Sequence, residues 1–325
     1  MAKIILRDAI SRGLREALDA DEGVFLMGED IGSYQGPYAV TSGFLEDYGT
    51  ERIRDTPISE SVVVGTAVGA AVAGLRPIVE VMTINFLLLA IDQVVNNAAK
   101  LRYMSGGQMQ VPLVIRTVTG GGARLGATHS QSLEGWFASV PGLKVVAPSD
   151  PYDTLGLLRT AIADDNPVIF AEHALLYRVE GEVPDEYYEI PFGEAKVKRE
   201  GADVTLIAYS RMVHIAMEAA ETLALKGVEA EVIDIRTLRP LDMATLVKSV
   251  EKTNRVVVIE EAWKMGGFSG EIASGIQEEA FDYLDGPVGR VGGVDVPAPY
   301  NSTLEDASLP NAARIVQRVE EIYGI

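Results

Sequence analysis

The chain has 325 residues, 47% of them hydrophobic, a length that suits about two domains and a composition that is ordinarily globular. Its formal net charge of −19, with no basic block to offset it, repels phosphate backbones and excludes nucleic acid as a natural partner, while suiting a basic protein. Cysteine is absent, which excludes a disulfide framework, a thiolate metal site and a cysteine nucleophile, and fits a reducing compartment. The start, Met-Ala-Lys-Ile-Ile-Leu-Arg-Asp, lacks the apolar core of a secretory signal, and its acids come too early for a transit peptide. The longest apolar run, residues 62–75, is too short and too glycine-rich to span a bilayer. A soluble, cytoplasmic protein with no membrane partner is therefore expected.

Residues 7–20 place Ile10, Leu14 and Leu18 at helical spacing, with Ala17 beside them, and predict an amphipathic helix. Residues 24–27 predict a buried strand. It ends in Gly28-Glu29-Asp30, a turn at a strand's carboxyl end, where α/β proteins place ligand groups. Residues 33–43 form a loop whose Tyr34 and Tyr38 suit either packing or a pocket wall. In Asp55-Thr-Pro-Ile-Ser-Glu60 the Thr-Pro pair halts an extended segment, because the residue before proline is kept out of the α region. Pro57 or Ser59 then opens a helix, and either choice leaves Glu60 in its first turn. Gly65, Ala67, Gly69, Ala70, Ala71 and Ala73 follow, so another backbone can approach that helix closely. Read locally, Glu60 is either an acid that complements the helix dipole or a catalyst.

Strands are predicted at 77–82, 112–116, 143–147 and 168–171, and helices at 85–104 and 151–163. The alternation argues for an α/β fold with a mainly parallel sheet covered on both faces. The first domain is expected over 1–178, and an acidic, aperiodic linker over 179–198. Alternation then restarts over 199–325, with strands at 204–209, 230–235, 256–259 and 288–291 and helices at 213–226, 243–252, 268–283 and 311–323.

There are three histidines. His214 opens a helix without a glycine loop or acidic neighbour and reads as structural. His173 follows a strand and is open to either reading. His129 comes after Thr119-Gly-Gly-Gly-Ala-Arg-Leu-Gly126, in a setting where histidine can move protons near neutral pH or can be an ordinary loop residue. Gly120-Gly-Gly122 lacks the Gly-Lys-Ser/Thr of a phosphate loop. Gly266-Gly267 and Gly270 lie between a strand and a helix, but polar residues intervene and no matching acid follows, so nicotinamide binding is an alternative without its full fingerprint. Asp164-Asp165-Asn166-Pro167 is a helix end before a strand; alternatively, helix-end carbonyls and the Asn166 side chain hold a monovalent or hard cation.

Several motifs occur in a fixed order: Gly28-Glu29-Asp30, Asp55-Thr-Pro-Ile-Ser-Glu60, Met82 to Phe86, Arg102-Tyr-Met-Ser-Gly-Gly107, His129-Ser-Gln131, Pro141-Gly-Leu-Lys-Val-Val146, Asp165-Asn-Pro167, Arg236-Thr-Leu-Arg-Pro240 and Val296-Pro-Ala-Pro-Tyr300. Together, and end to end, they closely resemble the β subunit of the E1 component of the 2-oxo acid dehydrogenase complexes. The resemblance implies thiamine diphosphate chemistry in an α2β2 assembly, with a pyrimidine-binding domain followed by a transketolase C-terminal-type domain. It implies that Glu60 hydrogen-bonds the aminopyrimidine ring and promotes the imino tautomer that removes the C2 proton. Ile58, Met82 and Phe86 match positions that wall the aminopyrimidine pocket, Glu29 an acid near the cofactor, and His129 a histidine that assists transfer to the lipoyl group. Leu113, Ala161, Ile162, Asp164 and Asn166 match a potassium site.

The family's Gly-Asp-Gly followed by Asn-Asn, which holds magnesium and diphosphate, is absent from the chain. The resemblance thus implies that the α subunit carries the Mg2+ and diphosphate half of the site. The acyltransferase (E2) would supply a basic binding domain and a lipoyl domain as further partners. Ile58-Ser59 resembles pyruvate-type subunits more than branched-chain ones; acetoin dehydrogenase β subunits share the pair, and pyruvate is the expected substrate. A non-catalytic scaffold subunit that docks E2 is the alternative from another class.

Overall fold

The computed structural model describes residues 2–324. Its elements divide between two units, one comprising the chain up to Thr119 with Trp136–Phe192, the other Gly120–Gly135 with the chain from Gly193 onward. Up to residue 192 the order is β1 (Ala2–Ile5), α1 (Leu6–Ala20), β2 (Val24–Gly28), α2 (Phe44–Tyr48), β3 (Ile53–Asp55), α3 (Glu60–Val72), β4 (Arg76–Val81), α4 (Ile84–Leu87), α5 (Ala99–Met104), β5 (Val114–Thr119), α6 (Glu134–Ala138), β6 (Lys144–Val146), α7 (Pro151–Ala163), β7 (Val168–His173) and β8 (Glu180–Val183). Six parallel strands of this part run β6-β7-β5-β4-β2-β3. β2 is buried along its whole length, as a parallel strand covered on both faces must be. Ile10, Leu14 and Leu18 of α1 are buried against it at the predicted spacing.

Register decides what stands beside what at the carboxyl ends. Gly28 lies opposite both Asp55 and Glu80, and Glu80 opposite Arg116. A Cβ on Gly28 would come within 2.6 Å of the Glu80 carbonyl oxygen, so this close approach needs glycine. The loops after β2, β3 and β4 therefore leave the sheet side by side.

The second unit holds β9 (Lys196–Arg199), β10 (Val204–Ala208), α8 (Arg211–Ala224), β11 (Ala230–Asp234), β12 (Thr237–Arg239), α9 (Met243–Thr253), β13 (Val256–Trp263), α10 (Phe268–Glu279), β14 (Gly289–Gly293), α11 (Ser302–Ser308) and α12 (Ala312–Tyr323). Its sheet runs β14-β13-β10-β11-β9, parallel except for β9. Valines and isoleucines of β10, β11 and β13 pack with alanines of α8 and with Ile315 and Val319 of α12.

The structure departs from the expected elements in several places. The single helix predicted over 85–104 is four pieces: α4, a 3-10 turn at Leu88–Ala90, a π segment at Gln93–Ala98, and α5. Asn97 donates to Gln93 Oε1 at 3.1 Å and Asn96 to Asp92 Oδ1 at 2.7 Å, so polar side chains tie this widened turn, a place where π segments occur. The stretch 179–198 contains β8 and the first three residues of β9. β8 pairs with β1 at the other end of the unit's sequence, a partner no local period reveals. β13 continues past residue 259 to Trp263. No described helix is long and apolar enough to cross a membrane.

Glu260 sits fully buried on β13. Burial pushes its carboxyl up to about 7, against the opposing hydroxyl and N–H of Ser269 and the charge of Arg290. The unfolded residue ionises near 4.5. Between these values the folded state keeps a proton that the unfolded state has released, so stability falls as pH rises through the window. We predict that Glu260→Gln, which keeps the proton-bearing form's shape, flattens the decline in Tm between about pH 5 and pH 7. A thermal-melt series with the parental slope intact would refute this.

Candidate functional site

The cleft at the carboxyl ends of β2, β3 and β4 is built from the strand ends outward. Asp55 closes β3, and its carboxylate accepts from Gly32 N–H at 2.6 Å and from Ser33 N–H and Oγ–H at 2.8 Å. Burial raises its pKa, but the donors of Ser33 and Gly32 outweigh that and hold it below the usual carboxylate range. This pins the turn after β2 to the end of β3. Thr56 N–H then donates to the Gly28 carbonyl at 3.0 Å, and Ser59 opens α3 as its N-cap residue, with its carbonyl accepting from Val63 N–H. Glu60 is the first residue of α3 and is half-buried.

Glu29, Thr56, Pro57, Ser59, Glu60, Val63, Glu80, Val81 and Met82 line the cleft. Burial, then the charges of Asp30 and Glu60, push the Glu29 carboxyl up. No lysine or arginine is among these lining residues. The Thr56 hydroxyl oxygen is buried in the cleft wall without a hydrogen-bond partner, a polar atom of the kind a bound molecule satisfies. Of the residues expected here, Glu29, Glu60 and Met82 meet. Phe86 is half-buried on α4, and Ile58 is 75% exposed; neither lines the cleft.

Behind the cleft lies a cluster that no local pattern reveals. Arg116, 2% exposed, donates to Glu172 Oε1 and Oε2 at 2.7 and 2.9 Å and to Glu80 Oε2 at 2.7 Å. The Tyr177 hydroxyl donates to Glu172 at 2.7 Å, and Tyr38 packs on the Tyr177 ring at 5.1 Å. Burial opposes charge on Arg116, but Glu172 and Glu80 keep it firmly protonated; burial likewise pushes Glu172 up against the pull of Arg116. The signal in the sequence is a charged residue in the interior of each of three strands, Glu80 in β4, Arg116 in β5 and Glu172 in β7.

The expected cation residues gather at the end of α7. Arg76 Nη1 donates to the carbonyls of Ile162 and Asp164 at 3.1 and 3.3 Å, so these two oxygens converge on one positive point. The side chains are engaged elsewhere: Lys144 pairs with the Asp164 carboxylate, Asn166 Nδ2 donates to it, and Arg102 holds Asn166 Oδ1 at 2.7 Å. The Leu113 carbonyl accepts from Val168 N–H at 2.9 Å, and Ala161 is buried on α7.

His129 belongs to the second unit, in the loop Gly120–Gly135. It is exposed, with Nδ1 2.9 Å from Thr128 Oγ1. His173 closes β7, buried, and its Nδ1 accepts from Leu175 N–H. His214 is half-buried in the first turn of α8. At Gly267 a Cβ would fall 2.2 Å from Glu260 Oε1, so this glycine makes room for an acid rather than for a phosphate.

Residues 2–180 match the family model of the transketolase pyrimidine binding domain, and residues 193–315 match that of the transketolase C-terminal domain. A solved structure described as a split gene transketolase, inactive beta4 tetramer, superposes with a TM-score of 0.81 at 26% identity, over 98% of this chain and 97% of that one. Fold and matches thus define a transketolase-type α/β protein. The pyruvate dehydrogenase E1 component subunit beta of Rickettsia felis is 48% identical over 98% of both chains. The mitochondrial subunit beta-2 of Oryza sativa is 49% identical over 97% of this chain and 85% of that protein, and the Dictyostelium discoideum subunit 48% over 98% and 91%. The chain belongs to the family of pyruvate dehydrogenase E1 component β subunits.

Replacing Arg116 by methionine strands two carboxylates in or beside the dry interior. We predict a loss of about 3–5 kcal/mol in urea unfolding. A loss under about 1 kcal/mol would show that the pairs contribute little.

Proposed function

We propose that this chain, with an α subunit, carries out the oxidative decarboxylation of pyruvate and passes the acetyl group to the lipoyl group of E2. The observation that carries the reading is the cleft where Glu29, Glu60, Thr56 and Met82 meet without any basic side chain. A ring bearing an amine and ring nitrogens fits apolar walls with carboxyl groups and an unsatisfied hydroxyl. A diphosphate does not, because Glu29, Glu60 and Glu80 would repel it. The chain therefore suits the aminopyrimidine half of thiamine diphosphate, with Mg2+ and diphosphate held by the α subunit.

When bound, the cofactor supplies the electron sink for decarboxylation. Glu60 exchanges a proton with a ring nitrogen from the first turn of α3. Met82 walls the ring, and Ile58 and Phe86 complete the wall once the α subunit covers this face. Exposed Ile58, Val62, Leu89 and Tyr103 suit such a contact, as does α3, where a Cβ on Gly69 would meet open space. The assembly is α2β2, and the net charge of −19 suits the basic binding domain of E2. His129 assists transfer to the lipoyl group. A potassium ion is held by the main-chain carbonyls of Leu113, Ala161, Ile162, Asp164 and Asn166.

In the assembled enzyme, Glu60→Gln should slow exchange of the cofactor's C2 proton by about 100-fold or more while assembly is unchanged. Parental exchange in that variant would leave only the scaffold reading. His129→Ala should lower acylation of a lipoyl domain by about 100-fold but decarboxylation with an artificial electron acceptor only about twofold; equal losses would remove the assigned role. Replacing potassium with choline should lower Tm by a few degrees, and an unchanged melt would dismiss the ion.

A further inference from the structure

The loop that carries His129 is held by acids contributed from distant parts of the second unit. Its backbone is left-handed at Gly120, Gly122, Arg124 and Gly126, so it folds back on itself and turns successive N–H groups outward. Two buried carboxylates collect those donors. Glu305, 0% exposed on α11, accepts from Gly122 N–H at 2.9 Å through Oε1, and from Arg124 N–H at 3.2 Å and Arg124 Nη1 at 2.7 Å through Oε2. Glu261, on β13, accepts from Gly121 N–H at 2.6 Å and from Arg211 at 3.2 Å. Arg124 also donates to the Ser302 carbonyl at 3.0 Å and to Asp306 at 2.7 Å.

Farther along, a Cβ on Gly126 would lie 3.3 Å from the Tyr300 ring, so the chain just before α11 packs on the loop as well. His129 N–H donates to the Gly126 carbonyl at 3.2 Å, and Gly120 N–H to the Gln131 carbonyl at 3.2 Å. The loop is thus closed at its base and tied at three of its inner residues, with His129 at its exposed end. A flexible glycine loop would otherwise spread the imidazole over many positions, at a cost that catalysis cannot recover.

We propose that Glu305, supported by Glu261, is a positioning residue for lipoyl acylation: it clamps the 120–131 loop so that His129 meets the incoming lipoyl group in one place. The inference rests on the role of His129 given above. Charge-assisted bonds from a carboxylate to main-chain N–H groups are about twice as strong as neutral ones, and here they are shielded from water. Neither Glu305 nor Glu261 touches the reacting atoms. Their effect is confined to the step that His129 serves.

The test uses the assembled enzyme. Glu305→Gln removes the charge while nearly keeping the volume, whereas Arg124→Leu keeps the buried acid and its bond from Gly122 N–H but removes the guanidinium that pairs with it. Amide hydrogen exchange over 120–131 should quicken by about tenfold or more in Glu305→Gln and by less in Arg124→Leu. The kcat for lipoyl-domain acylation should fall about tenfold, with the KM for pyruvate and decarboxylation to an artificial acceptor within about twofold of the parent. Unchanged exchange in both variants would overturn the clamp. Faster exchange with normal acylation, where His129→Ala is impaired, would overturn the positioning role and leave His129 standing. If His129→Ala is also harmless, the reading of His129 falls and the positioning role falls with it.

Discussion

The bonds from Arg116 across the middle of the first sheet are the constraint on which the candidate site depends. Glu80, Arg116 and Glu172 lie inside β4, β5 and β7, and register brings Glu80 opposite Arg116. A guanidinium this deeply buried must be matched by acids, and Glu172 and Glu80 supply two. Replacement by apolar residues of similar volume would serve stability as well. What the pairs add is direction: Glu80 is fixed at the cleft wall, facing the space that Glu29 and Glu60 share.

That arrangement makes the cleft selective in a simple way. Three acids, one unsatisfied hydroxyl and apolar walls favour a ring with hydrogen-bonding nitrogens and disfavour an anion. The proposed function accommodates both the sequence's lack of the family's diphosphate-binding motif and the acidic lining of the cleft. In that proposal this chain presents the groups that address the ring, and the α subunit addresses the charge. Under the proposed function, Glu60 would work in a half-open cleft that the α subunit closes.

The second unit obeys the same rule with the polarity reversed. There the loop offers main-chain donors, and buried acids on β13 and α11 receive them. Gly266-Gly267 illustrates how a glycine pair after a strand can mislead. Its second glycine stands where Glu260 needs room, and an acid in that position would repel a phosphate.

Residues whose meaning is local are legible in the amino-acid sequence alone. Periodicity placed α1, α7, α8 and α9 and the buried parallel strands, because a covered strand is apolar throughout and a helix against a sheet repeats every three to four residues. Thr-Pro before Ser-Glu placed Glu60 at a helix start, and the order of short motifs pointed to the family. Residues that depend on partners far along the chain were not legible: β8 against β1, the π segment beside α3, Glu80 and Glu172 about Arg116, and Glu305 beneath the glycine loop. A charged residue inside an apolar run says that a counter-charge exists, but only register and loop path say which one. The sequence by itself determined the alternating α/β architecture and the position of Glu60 on it. Only the tertiary structure decided which acids face one another, since side-chain electrostatics act over a few ångströms of space however many residues separate them.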